Sequence, residues 1–143
     1  MAARVLLKKN LHLTAAKRVT VHCPASDAAQ AAFAAGNLQR LEFESPFDAL
    51  FSVLRNNIDF GRIGPYRSVF ELSLGQETFV PGPGADPSTG TLDKRTCLAT
   101  IVITTYLAAE TSAQRLAELV AMLAAAHPWE LPVIEVATVD LLK

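Results

Sequence analysis

Acidic residues are missing from the first 26 positions of this 143-residue chain, and cysteines, aromatics and charges are sparse throughout. Two cysteines, Cys23 and Cys97, are too few for a disulfide scaffold and fit a reducing compartment. Only 19% of residues are charged and the net charge is −1. That balance excludes a nucleic-acid binder working through bulk positive charge. With half the residues apolar, global disorder is excluded as well. No apolar run approaches the roughly 20 residues of a membrane helix. There is no Walker-type Gly-Lys-Ser/Thr, no G-x-S-x-G around Ser45, no Cys/His/Asn signature and no internal repeat. What remains is one soluble domain, long enough to bury about two-thirds of its unfolded surface.

The near-neutral total hides an asymmetry. Residues 1–40 carry six basic side chains against Asp27 alone, whereas residues 41–143 carry a net charge of −6. Met1 to Arg18 is apolar, basic and acid-free, a composition that suits a mitochondrial or other organellar transit peptide. The same residues also read as added strands, Arg4–Lys8 and Arg18–Cys23, in a cytoplasmic protein. Both readings stay open.

Further along, the alanine-rich stretch from Pro24 to Gly36 predicts a short helix capped by Ser26 and stopped by Gly36-Asn37. Leu41 and Phe43 alternate with Glu42 and Glu44, which predicts a half-buried strand over 38–44. Ser45-Pro46-Phe47-Asp48 predicts a helix start capped by Ser45, with Phe47, Leu50, Phe51, Leu54 and Ile58 along one apolar stripe. A strand is expected at Tyr66–Leu74 and a long loop at Gly75–Arg95, interrupted briefly near Thr78-Phe79-Val80. Thr96 to Leu107 is β-branched and aromatic, a clear strand in which Cys97 reads as a small buried hydrophobe. Thr111-Ser-Ala-Gln114 has capping-box spacing and opens a second main helix, with Leu116, Leu119, Val120 and Leu123 inward. Pro132–Leu142 alternates as a final strand. The order from residue 38 onward is strand–helix–strand–strand–helix–strand, the α+β, ferredoxin-like βαββαβ sandwich.

Three segments, in this order, resemble one known family. Gly61-Arg-Ile-Gly-Pro-Tyr66 is similar to the G-x-I-G-N-Y motif of the small domain inserted in YqfO-type (Nif-three-like) proteins. Gln76-Glu-Thr-Phe-Val-Pro81 and Gly84-Ala-Asp-Pro-Ser-Thr-Gly90 resemble its G-T-F-x-P and G-x-N-P-x-x-G stretches. His127-Pro-Trp-Glu-Leu-Pro132 resembles its H-P-Y-E-x-P motif, which CutA proteins share. Pro65, Trp129 and Leu131 depart from the pattern. The resemblance covers about residues 38–143 and implies a PII/CutA-type domain whose relatives trimerise through sheet edges. Residues 1–37 then form a basic N-terminal extension and 38–143 the domain. In the alternative register Arg18–Gly36 supplies the first strand and helix, and residues 37–60 are an insertion. The later register is preferred because Ser45–Gly61 forms one capped helix running into the glycine motif. The family's dinuclear metal site has no matching positions here.

Two motifs carry candidate chemistry. Gly61, Arg62, Gly64 and Tyr66 bring backbone N–H groups and a guanidinium together, a candidate anion or small-molecule effector site. The same glycines also fit a plain helix stop and tight turn. His127 and Glu130 are candidate ligands for a divalent metal. Equally, a histidine near a helix C-terminus is favourable there without any metal, and Trp129 suits a core or interface. Trp129, Leu131 and Val133 are the expected interface residues. In the loop, Asp86, Asp93 and Lys94-Arg95 suit either effector contact or solvation. Cys23, beside His22 at a strand end, is the more reactive cysteine expected. The favoured expectation is a non-enzymatic, trimer-forming binding or regulatory domain that engages neither nucleic acid nor membrane. The alternatives are a CutA-type metal binder and an accessory subunit of an enzyme.

Overall fold

The computed structural model describes residues 10–143. Strand β1 (Leu13–Pro24) leads through α1 (Asp27–Ala34), the single turn α2 (Leu38–Leu41) and α3 (Phe47–Asn56) to β2 (Glu71–Phe79). Then β3 (Thr96–Ala108), α4 (Ala113–Ala126) and β4 (Val133–Leu142) complete the chain. The sheet order is β2-β3-β1-β4, with every neighbouring pair antiparallel. Interleaving two crossovers in this order is the ferredoxin-like solution to pairing four strands with helices on one side. No helix among the described residues is long and apolar enough to cross a membrane.

The strands sort their residues by parity. Val19, Val21 and Cys23 of β1 lie opposite Thr105, Ile103 and Ile101 of β3, so all six share one face. That face packs on Ala29 and Ala32 of α1, Leu41 of α2, Phe47, Leu50, Phe51 and Leu54 of α3, and Leu119 and Leu123 of α4. The opposite face presents Arg18, Thr20 and His22 beside Val102, Thr104 and Tyr106, and none of these belongs to the buried cluster. It is half-buried or exposed except at Ala16 and Thr100.

The caps follow largely from local chemistry. Ser26 Oγ accepts from Ala29 N–H, and Gly36 adopts φ +67° beyond the last turn of α1, both as expected. In α4 the capping side chain is Ser112, which accepts from Arg115 N–H, one position later than the Thr111 box predicts. Helix α3 starts at Pro46 with no side-chain cap, so Ser45 does not have the capping role expected of it. The α3 stripe holds from Phe47 to Leu54, but Ile58 lies past the helix end and is exposed.

Three strand assignments need correction. Residues 38–44 form no strand. Asn37 Oδ1 caps α2 through Arg40 N–H, and Arg40 pairs with Glu44 at helical spacing. Leu41 is fully buried while Phe43 is 76% exposed, an outcome that strand alternation does not produce. The first strand of the sheet is β1, hydrogen-bonded between β3 and β4, so residues before 38 supply a central strand. The expected Arg18–Cys23 strand lies inside β1. The expected Arg4–Lys8 strand falls outside the described residues. Finally, β2 begins at Glu71 and runs to Phe79, so the first part of the expected loop at Gly75–Arg95 is strand.

Candidate functional site

A cleft of about 290 Å³ opens where the end of β2, the loop after it and the α4–β4 turn meet. Glu77, Phe79 and Pro81 form one wall, and Trp129, Glu130, Leu131 and Val133 another. Ala85, Pro87, Ser88 and Thr89 of the loop close the third side. Its lining is predominantly apolar, and among the described residues its only charged members are two carboxylates. A concave, largely apolar surface with a few polar groups is the general form of a small-ligand site.

Local chemistry holds the loop in place. Asp93 N–H donates to Pro81 C=O at 2.8 Å, closing residues 81–93 at the base. Across the cleft, Asp86 N–H donates to Glu130 Oε2 at 2.8 Å and fastens the loop to the turn. Gly90 has φ +106°, and a Cβ there would come within 2.6 Å of Thr96 Oγ1. The tight return into β3 therefore requires glycine.

The aromatic wall is set by His127. Its imidazole is buried, with Nε2 against the His22 carbonyl and Nδ1 accepting from Trp129 N–H at 3.1 Å. These partners define the neutral tautomer protonated at Nε2. Burial pushes its pKa below the usual imidazole value, opposed by the His22 carbonyl and the Glu77 charge. Trp129, held this way, meets Phe79 edge-on at 6.3 Å and His127 at 5.2 Å between ring centroids. On the sheet's open face His22 Nδ1 donates to Glu77 Oε1 at 2.8 Å. The β1–β3–β2 register places the two side chains on one face, although 55 residues separate them.

The expected site residues separate into two groups. Trp129, Glu130, Leu131 and Val133 come together in the cleft wall, with Leu131 83% exposed at the rim. His127 stands behind that wall, both ring nitrogens engaged by main-chain groups, while Glu130 holds the loop. The two do not act as a ligand pair, and no cluster of three or more metal-ligating side chains occurs among the described residues. Gly61, Arg62, Gly64 and Tyr66 lie outside the cleft lining. Gly61 N–H donates to Tyr106 C=O, and Ile63 and Tyr66 exchange main-chain hydrogen bonds, which commits three of the turn's main-chain donors to the turn itself and to β3. The turn reading fits this geometry. Lys94 and Arg95 are exposed in the loop and line no part of the cleft.

The cysteines reverse their expected roles. Cys23 is fully buried, and burial pushes its thiol pKa far up, which makes it inert. Cys97, near the start of β3, is exposed. Sequence reasoning missed Glu77, Phe79 and His22 as site residues. A usable signal was present, since Glu77 and Phe79 are two apart and share a strand face.

No family model matches the chain, and no curated protein matches it. Among solved structures, the fold is similar to that of a Bacillus cereus protein related to NIF3, with a TM-score of 0.59 at 19% identity. The match covers 98% of this chain and 31% of that one. At that identity the likeness is one of fold, and the chain spans about a third of the length of the protein it resembles.

Proposed function

We propose that the chain is a non-enzymatic binding or regulatory module of the Nif-three-like, PII/CutA type that works as a trimer. The observation that carries this reading is the fold match, which takes in nearly the whole chain and corresponds to one section of a larger NIF3-related protein. The ordered Gly61–Tyr66, Gln76–Gly90 and His127–Pro132 motifs support it independently. Physically, among the described residues β2 and β4 are long edge strands with one unpaired side each, and such edges call for a partner. The open sheet face adds half-buried Val102, Tyr106 and Val139, and Leu131 projects from the neighbouring turn. Closed cyclic assembly would cover these surfaces in an ordered way.

Light scattering coupled to gel filtration tests it. The expected mass is three times the 15.4 kDa of one chain, and Leu131→Glu is expected to lower it. A monomer at micromolar concentration overturns the trimer.

A further inference from the structure

We infer that the cleft between Phe79 and Trp129 binds a small organic cation, an amine or quaternary ammonium attached to a flat or compact apolar body. The inference rests on the binding-module reading and adds to it the chemical class of the ligand.

Charge complementarity is the first argument. Among the described residues, the two charged groups in the cleft wall are carboxylates, Glu77 and Glu130, and no lysine, arginine or histidine lines it. Each carboxylate has one oxygen committed, Glu77 Oε1 to His22 and Glu130 Oε2 to Asp86 N–H. The second oxygen of each makes no hydrogen bond to another described residue, so both retain acceptor capacity toward a ligand. An anion entering here would meet two like charges and no donor side chain other than Ser88, Thr89 and the indole of Trp129.

Aromatic geometry is the second. Trp129 and Phe79 meet edge to face and both line the cleft, and ring faces attract cations through their quadrupole. Trp129 is not a mobile surface ring, since its backbone N–H is fixed on His127 and its ring packs beside that imidazole. The volume of about 290 Å³ is at the lower end of the range for small-molecule sites. Pro81, Pro87, Ala85 and Val133 supply the apolar remainder, which suits a hydrocarbon body rather than a bare metal ion. A hydrated divalent cation would find only two carboxylates, each already sharing its charge with the protein.

The chain has one tryptophan, so fluorescence excited selectively at the indole, where the two tyrosines contribute little, reports on this cleft. The probes are benzylammonium, whose N–H groups can donate to both carboxylates, its neutral counterpart benzyl alcohol and its anionic counterpart phenylacetate, titrated against the full chain. A saturable change with the cation, and a response at least about tenfold weaker with the other two, is expected for a contact to charged groups. Glu77→Gln and Glu130→Gln should each weaken the cation by about tenfold. The glutamine carbonyl still accepts from His22 or Asp86, so loop and fold persist, and circular dichroism checks this. Glu71→Gln, on β2 but outside the cleft, should leave binding unchanged. Equal binding of benzyl alcohol, tighter binding of phenylacetate, cation binding indifferent to both carboxylate variants, or no saturable change overturns the inference. A trimer that fails to bind the cation refutes only the ligand class. A cation-binding monomer refutes only the assembly.

Discussion

The two faces of the sheet are built from the same strands, yet they obey different rules. On the helix side, Val19, Val21, Ile101 and Ile103 are within 1% of complete burial and touch α1, α3 and α4. On the other side, their immediate neighbours Thr20, His22, Val102 and Thr104 are half-exposed, and the one polar contact of note joins His22 to Glu77. The strand period of two makes this separation possible without any change in backbone. Buried packing is concentrated on the first face, and the candidate cleft draws Glu77, Phe79 and Val133 from the second, so substitutions at adjacent positions should report different properties.

The sharpest test of that division is a pair one residue apart. Ile103→Ala removes a fully buried side chain and should cost about 4 kcal/mol in urea unfolding. Thr104→Ala, half-buried on the open face, should stay within about 0.5 kcal/mol. A larger loss at Thr104 that grows with protein concentration would mean that partner chains cover the open face. A larger loss independent of concentration would break the comparison itself.

A second contrast lies in the connection that fixes the helix layer to the sheet. Gly61 has φ +72°, and a Cβ would stand 2.6 Å from Val69 N and 3.1 Å from the Phe70 ring. Gly64 has φ +55° with open space around it. Gly61→Ala should therefore cost about 3 kcal/mol, from left-handed backbone strain plus overpacking. For Gly64→Ala only the strain remains, about 1 kcal/mol. Comparable losses in thermal or urea unfolding would show that the close approach of Gly61 to Val69 and Phe70 is not what holds the turn.

Sequence legibility also divides along these lines. Elements whose burial is decided locally were readable: α1 by Ser26 and Gly36, α4 by its leucines, and β3 and β4 by alternation. Residues 38–44 misled because Leu41 and Phe43 alternate with Glu42 and Glu44. The four-residue spacing of Arg40 and Glu44, and the reach of Glu42 to Arg55 on α3, were the competing helical signals. Arg55 in turn stacks over Phe51 and Phe70, which makes this ion pair a brace between the end of α2, α3 and the segment leading into β2. A strand at 38–44 would start the sheet 25 residues later than β1 does, although Val19, Val21 and Cys23 show the expected period. In the cleft, the turn residues Trp129 to Val133 were legible because one motif holds them together. Glu77 and His22 were not, because only sheet register unites them.

His127 sits at the boundary between the two faces and supplies the smallest and most specific test. Burial lowers its folded pKa relative to the unfolded chain, so the unfolded state takes up the proton first as pH falls. Its contribution is present above the unfolded value of about 6.5 and is lost as pH drops through the folded pKa. The Arg115 fork on Asp59 behaves similarly but in a lower window. Its hydrogen bond holds that carboxyl below the usual range, so its contribution is lost only well below about pH 4. Between roughly pH 7 and 5, then, wild type should lose stability more steeply than His127→Gln, which has no imidazole to titrate there. Parallel curves would show that the His127 imidazole does not set the slope. The same proton has a local consequence that stability alone does not reveal. Once Nδ1 is protonated it can no longer accept from Trp129 N–H, so the ring that walls the cleft loses its tether. Trp129 fluorescence should shift in the same pH window while the helix-side core remains folded. A shift that appears only with global unfolding would mean that the two faces respond as one.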